Sequence, residues 1–128
     1  MDSLDSFSAD YAEARDKFRA AAADEGAQTQ QIPHPLTGPK GEALAVDVAW
    51  LGPREAERVL VTFSAVHGVE GFCGSGAQVD WLRRGEGRDL PAGVAVMHVH
   101  AVNPHGFAWL RRMTEENVDL NRNFVDFS

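Results

Sequence analysis

Two short stretches of this sequence hold the residue types that hydrolytic chemistry uses. The first is His67-Gly68-Val69-Glu70-Gly71. A spacing of three brings an imidazole and a carboxylate to one side of a tight turn or a first helical turn. Imidazole nitrogen with carboxylate oxygen is an ordinary zinc pair, and a catalytic zinc takes three protein ligands and a water. Gly68 and Gly71 let the backbone bend closely around an ion. The same residues also describe a hydrogen-bonded histidine beside a solvated glutamate. The second stretch runs from Arg112 to the pair Asn121-Arg122. Guanidiniums and an amide can clamp a carboxylate or stabilise a developing oxyanion. The plainer alternative puts Arg111 and Arg112 on a solvated face and Asn121-Arg122 in a turn.

Other reactive types are less well placed. His98 and His100 stand two apart in a strand-like run, so they share a face and form a competing metal pair. Cys73 is the sole cysteine, which excludes an intramolecular disulfide and any Cys-x-x-Cys site. Packing among small residues accounts for it better than nucleophilic work. Gly74-Ser75-Gly76 does not make the nucleophile elbow of a serine hydrolase, and it is too sparse for a phosphate loop. His34 lies in a Pro/Gly-punctuated stretch and reads as surface.

The elements that must position these groups follow from periodicity. Leu4, Phe7, Tyr11, Ala14 and Phe18 recur at helical spacing, and an alanine run prolongs the pattern to a stop at Gly26, giving an N-terminal amphipathic helix over 1–26. Residues 28–41 hold Pro33, Pro35, Gly38, Pro39 and Gly41 and read as an irregular connector. Residues 44–50 alternate apolar with small or polar types, as a half-exposed edge strand does. Residues 59–63 are continuously apolar, as expected of a strand covered on both faces. Residues 94–102 form a third strand, and 75–84 a helix between the second and third that ends at Gly85. Strand, helix, strand implies a parallel crossover, with the first strand antiparallel to the second. The whole is one α/β domain spanning 1–128, with a mixed sheet of at least three strands. In such sheets the crevice lies beyond the carboxyl ends of the parallel strands, so both polar stretches fall on one rim.

Composition narrows the partners. The 128 residues carry 19 acidic against 12 basic side chains, a formal net charge of -7. That balance argues against nucleic acid. No apolar segment suits a membrane span or a secretory signal, so a soluble cytoplasmic protein is expected.

The ordered set His67-x-x-Glu70, Asn103-Pro104-x-Gly106-Phe107 and Val118-Asp119-Leu120-Asn121-Arg122-Asn123-Phe124 resembles the zinc carboxypeptidases, the carboxypeptidase A-like metallopeptidases. The stretches 68–76 and 100–109 resemble a mainly bacterial branch of that superfamily, labelled as a domain of unknown function. The resemblance covers nearly the whole chain and implies the N-terminal half of a three-layer α/β/α domain. It implies Zn2+ as cofactor, with His67 and Glu70 as the first two metal ligands. It implies Arg112 as the oxyanion-stabilising group, nine residues before Asn121. Asn121 and Arg122 then grip the substrate's terminal carboxylate, and Asp119 and Asn123 brace their loop. The implied reaction is hydrolysis of an amide bond next to a free carboxylate. Its substrate is a peptide or, in the manner of aspartoacylase and succinylglutamate desuccinylase, an N-acyl amino acid. A third zinc ligand and a general-base glutamate, which the family places after the Asn-Arg pair, are not found before Ser128. The chain is therefore expected to be a fragment, inactive in isolation or a non-catalytic metal- or carboxylate-binding remnant. A sheet cut after three strands also exposes an edge, so self-association is expected.

Overall fold

The computed structural model describes residues 2–126 and Ser128. Three helices and four strands make up its frame. Helix α1 (Tyr11–Asp24) opens with a capping box: Asp10 Oδ1 accepts from the Glu13 backbone N–H at 2.9 Å, and Glu13 Oε2 accepts from that of Ala9 at 2.8 Å. This cap corrects the expectation of one helix over 1–26. The helix starts at Tyr11, and Leu4 belongs to a separate 3-10 turn, Ser3–Ser6. Periodicity ran through the break because the ring of Phe7, though exposed, still lies against Gly76.

Strand β1 (Gln28–Thr37) replaces the expected irregular connector. Its glutamines and prolines hide the strand because it is an edge: among the described residues it pairs only with β2 (Ala43–Leu51), and a proline costs nothing where no ladder bond is needed. Sheet order is β1-β2-β4-β3, with β3 spanning Arg58–Phe63 and β4 Val94–His100. Two placements differ from expectation. The segment expected as an edge is β2, an interior strand; its alternation records two different faces, with Ala45, Asp47, Ala49 and Leu51 buried and Val46, Val48 and Trp50 half-buried. The segment expected to be covered on both faces is β3, which is an outer strand and largely exposed. The β3–β4 pairing is parallel, as strand-helix-strand order implied; β2 is antiparallel to β4 and does not adjoin β3.

Helices α1, α2 (Gly71–Arg83) and α3 (Pro104–Ala108) lie against one face of the sheet. The core beneath them divides in two. Phe18, Ala22, Ala49, Leu51, Val79 and Leu82 fill one half; Tyr11, Ala14, Leu44, Ala65, Ala101 and Phe107 fill the half under the site. Buried polar groups tie the layers together. The Tyr11 hydroxyl donates to the Ala45 carbonyl and accepts from its N–H, both at 2.9 Å. Arg15 bonds the buried Asp47 through Nε at 2.7 Å. His100 stacks on Phe18 at 4.5 Å between ring centroids and bonds Ser75 Oγ through Nε2 at 2.8 Å.

Candidate functional site

The parallel pair β3–β4 delivers two chain crossings to one rim. Beyond β3 the Ser64 carbonyl accepts from Val102 N–H, the Ala65 carbonyl accepts from Asn103 N–H, and Ser64 Oγ accepts from Ala101 N–H. Ala65 and Ala101 both adopt left-handed backbone, with φ of 55° and 59°. These paired kinks turn each strand sharply into its polar loop. A 3-10 turn over Gly68–Glu70 then feeds α2.

That turn is clamped from the opposite loop. Gly68 N–H donates to the Arg112 carbonyl at 3.2 Å and Val69 N–H to that of Arg111 at 3.1 Å. A side chain at position 68 would run into the backbone of Gly106 and Phe107. Here the glycine serves close approach of two segments. Buried Asn103 supports the same loop: its Oδ1 caps α3 through Gly106 N–H at 2.8 Å, with Pro104 in the first helical turn.

The functional side chains meet at Asp119. His67 Nε2 lies 2.9 Å from Asp119 Oδ1, and His67 Nδ1 lies 3.3 Å from Glu70 Oε1. Arg122 donates to Asp119 Oδ2 at 2.7 Å and Arg112 to the same oxygen at 3.4 Å. Asn121 N–H donates to Asp119 Oδ1 at 3.0 Å. Desolvation raises the Asp119 pKa, but the His67, Arg122 and Asn121 hydrogen bonds outweigh it and bring the pKa down to about 2. The ionised Asp119 can accept a hydrogen bond from His67 Nε2–H. With the proton on Nε2, Nδ1 presents its lone pair on the side of Glu70 Oε1.

His67, Glu70 and Asn121 border one open depression of about 580 Å³ beyond β3, and the exposed Cys73 borders it too. Arg112 reaches the Asp119 cluster, whereas Arg111 turns to Asn117 at 3.2 Å. His98 and His100 stay apart from it. His98 Nδ1 bonds Thr62 Oγ1 at 2.6 Å and its ring packs on Trp81 at 4.8 Å; both histidines are buried under the helices. Among the described residues, no three His, Cys, Asp or Glu side chains surround a common metal position. His34 is not a free loop residue: it bonds Glu115 at 3.1 Å from β1.

A family model described as Protein of unknown function (DUF2817) matches residues 7–128. The chain belongs to the DUF2817 family. No curated protein matches its sequence. Among solved structures, a Zn-dependent exopeptidase from Parabacteroides distasonis superposes with a TM-score of 0.50 at 15% identity, over 89% of this chain and 41% of that one. Glutaminyl cyclases from Tannerella forsythia (TM-score 0.48, 20% identity) and Porphyromonas gingivalis (0.47, 16%) each align over 67% of this chain and over 36% and 37% of their own. The DUF2817 chain thus has the mixed α/β fold of the exopeptidase and spans well under half the length of these proteins.

Asp119 is the member of this DUF2817 site that sequence reasoning undervalued. It was assigned to bracing the loop, yet it bonds His67 directly, across 52 positions of sequence. Its place two residues before Asn121 was the available signal.

Proposed function

We propose that this chain is the metal-bearing part of a zinc-dependent hydrolase that cleaves amide bonds adjacent to a free carboxylate. The observation that carries the reading is the clamped state of His67, with Asp119 on Nε2 and Glu70 facing Nδ1. Two donors bound to a tetrahedral zinc at ordinary lengths stand about 3.3–3.5 Å apart, and Nδ1 and Glu70 Oε1 are 3.3 Å apart. A histidine whose second nitrogen is held by a carboxylate is also the usual state of a zinc-ligating imidazole. This pair has the donor types and the separation of two zinc ligands. His67 and Glu70 would hold the ion, and Asp119 would fix the tautomer.

Bound there, zinc would polarise a carbonyl and acidify a water. The chain's own residues do the rest. Arg112 and Arg122 share one partner in Asp119 and are 48% and 64% exposed at the side chain, so both guanidiniums remain open to an anion from solvent. Arg112 is assigned the developing oxyanion, and Arg122 with Asn121 the substrate's carboxylate. The substrate class is a peptide C-terminus or an N-acyl amino acid.

With two donors on the Nδ1 side, the isolated chain is expected to bind zinc weakly and turn over nothing at a useful rate. Zinc titration by calorimetry, with and without the substitution Glu70→Gln, tests the first part. A panel of C-terminal peptides and N-acyl amino acids tests the second. Zinc binding indifferent to Glu70→Gln would sink the ligand assignment, and robust turnover by these 128 residues would overturn the expected inactivity.

A further inference from the structure

Strand β1 interrupts its pairing at one place, and that place touches the loop over the site. Its register runs evenly to Pro33 opposite Ala45 and resumes at Thr37 opposite Ala43, so β1 advances four residues while β2 advances two. Such a bulge takes residues out of the ladder and re-aims them. His34 stands in it between Pro33 and Pro35. The prolines fix their own φ, and Pro35 confines His34 to extended backbone, so the chain has little freedom left to lose there.

Two bonds cross from this bulge to the segment after α3. Leu36 N–H donates to His34 Nδ1 at 3.1 Å, which leaves the ring proton on Nε2, and Nε2–H donates to Glu115 Oε1 at 3.1 Å. The Thr37 carbonyl accepts from Trp109 Nε1–H at 3.0 Å. Between these bonds the rings of His34, His105 and Trp109 form a row, with 5.9 Å from each centroid to the next. Burial lowers the His105 pKa, which keeps the middle ring neutral beside His34. The His34 and Glu115 side chains are 15% and 30% exposed, so their bond is partly shielded from water. Glu115 sits in a closed turn, where Thr114 N–H donates to the Val118 carbonyl at 3.0 Å and Asn117 N–H to that of Thr114 at 2.9 Å. Arg111 and Arg112, whose carbonyls clamp Val69 and Gly68, lie between Trp109 and Glu115, and Asp119 follows the turn directly.

We propose that the β1 bulge is a latch for the site: His34 through Glu115, and the Thr37 carbonyl through Trp109, hold segment 109–118 against the His67 turn. His34 and Glu115 are thus positioning residues that act through the backbone of Arg111 and Arg112. The two ties bracket the clamping carbonyls, one on each side in sequence, so releasing either frees that stretch to lift from Gly68 and Val69. Arg112 and Asp119 move with it. A bulge that only ended the pairing of an edge strand would have no use for a proline-flanked histidine of fixed tautomer. That the segment is held this way follows from the contacts; that holding it serves a reaction rests on the reading proposed above.

Amide hydrogen exchange of the full chain, followed by NMR without added metal, tests the latch independently of zinc. Gly68 and Val69 report it directly, because their N–H groups bond the Arg112 and Arg111 carbonyls. His34→Ala and Glu115→Ala, each checked for folding by circular dichroism, should speed exchange at both amides roughly tenfold. Together they should do no more than either alone, since both remove one bond. Glu115→Gln keeps the acceptor and should restore the slow rate, while amides of the β2–β4 ladder stay at wild-type rates throughout. Trp109→Phe, which deletes the second tie and keeps a ring, should act in the same direction as the alanine variants. Unchanged exchange at Gly68 and Val69 in His34→Ala and Glu115→Ala overturns the proposal. Acceleration spread evenly over the β2–β4 ladder overturns it too, by making the contact one of general stability, as does failure of Glu115→Gln to restore protection. Zinc titration reads the metal site separately: a chain that binds no zinc defeats the reading of the site, while exchange still decides the latch.

Discussion

Mild acid should destabilise this protein through two buried histidines. Burial lowers the pKa of His98 to about 4, and burial aided by the Arg15 charge lowers that of His100 to about 3, from an ordinary 6.5. His98 is 2% exposed and His100 not at all. A depressed histidine keeps its full contribution above the unfolded value and loses it as pH falls, because the unfolded chain then binds protons that the folded chain refuses. At pH 5 each site lies about one and a half units below its unfolded value and still above its folded one, which costs about 2 kcal/mol apiece and about 4 together. Against a total of about 5–15 kcal/mol, that is a large share. His105, also lowered by burial, acts in the same direction. The lowered carboxylates Asp10, Glu115 and Asp119 weaken the fold only at lower pH, as pH falls from their unfolded values toward their folded ones. Urea unfolding at pH 7.5 and pH 5 measures the difference, and His98→Gln should remove about half of it. Equal stability at the two pH values, or a pH slope untouched by His98→Gln, would refute the reasoning.

Other outcomes follow from single contacts. Arg15→Met leaves the buried Asp47 carboxylate without its 2.7 Å partner; about 3 kcal/mol of stability should be lost in thermal denaturation, much of it recovered when Asp47→Leu is added. Gly68→Ala drives a methyl into the backbone of Gly106 and Phe107 and should cost about 1–3 kcal/mol, measured the same way. Asp119→Ala frees the Nε2 side of His67, and zinc affinity measured by competition with a chelator should fall about tenfold to a hundredfold. Arg122→Ala should weaken binding of small carboxylates, followed by titration, while zinc affinity holds.

Legibility in the sequence tracked how local each signal was. Helix α2 and strand β4 were readable because their patterns match how they are buried, and Gly85, with φ of 70°, stopped the helix where a left-handed residue was needed. Strand β1 was not, since an exposed edge places no demand for apolar alternation. The interior position of β2 was invisible for a related reason: alternation reports faces, and neighbours are set by chain crossings that no local pattern records. At the site, motif spacing pointed to His67, Glu70, Arg112, Asn121 and Arg122, and the fold gathers them on one rim. The roles inside the cluster were not readable, because Asp119 acquires its partners only when the loop after β4 folds back over Gly68.

The sharing of Asp119 has a consequence for selectivity. Arg122 is not an idle cation, because its guanidinium already rests on a carboxylate at 2.7 Å. An incoming anion is therefore traded against an internal one, and its net gain is the difference between two similar bonds. Neutral molecules have nothing to trade. If Arg122 holds the substrate's carboxylate as proposed, a dianion, or a carboxylate whose neighbouring atoms make further contacts, would win the exchange, and the loop would act as a threshold against weakly charged visitors.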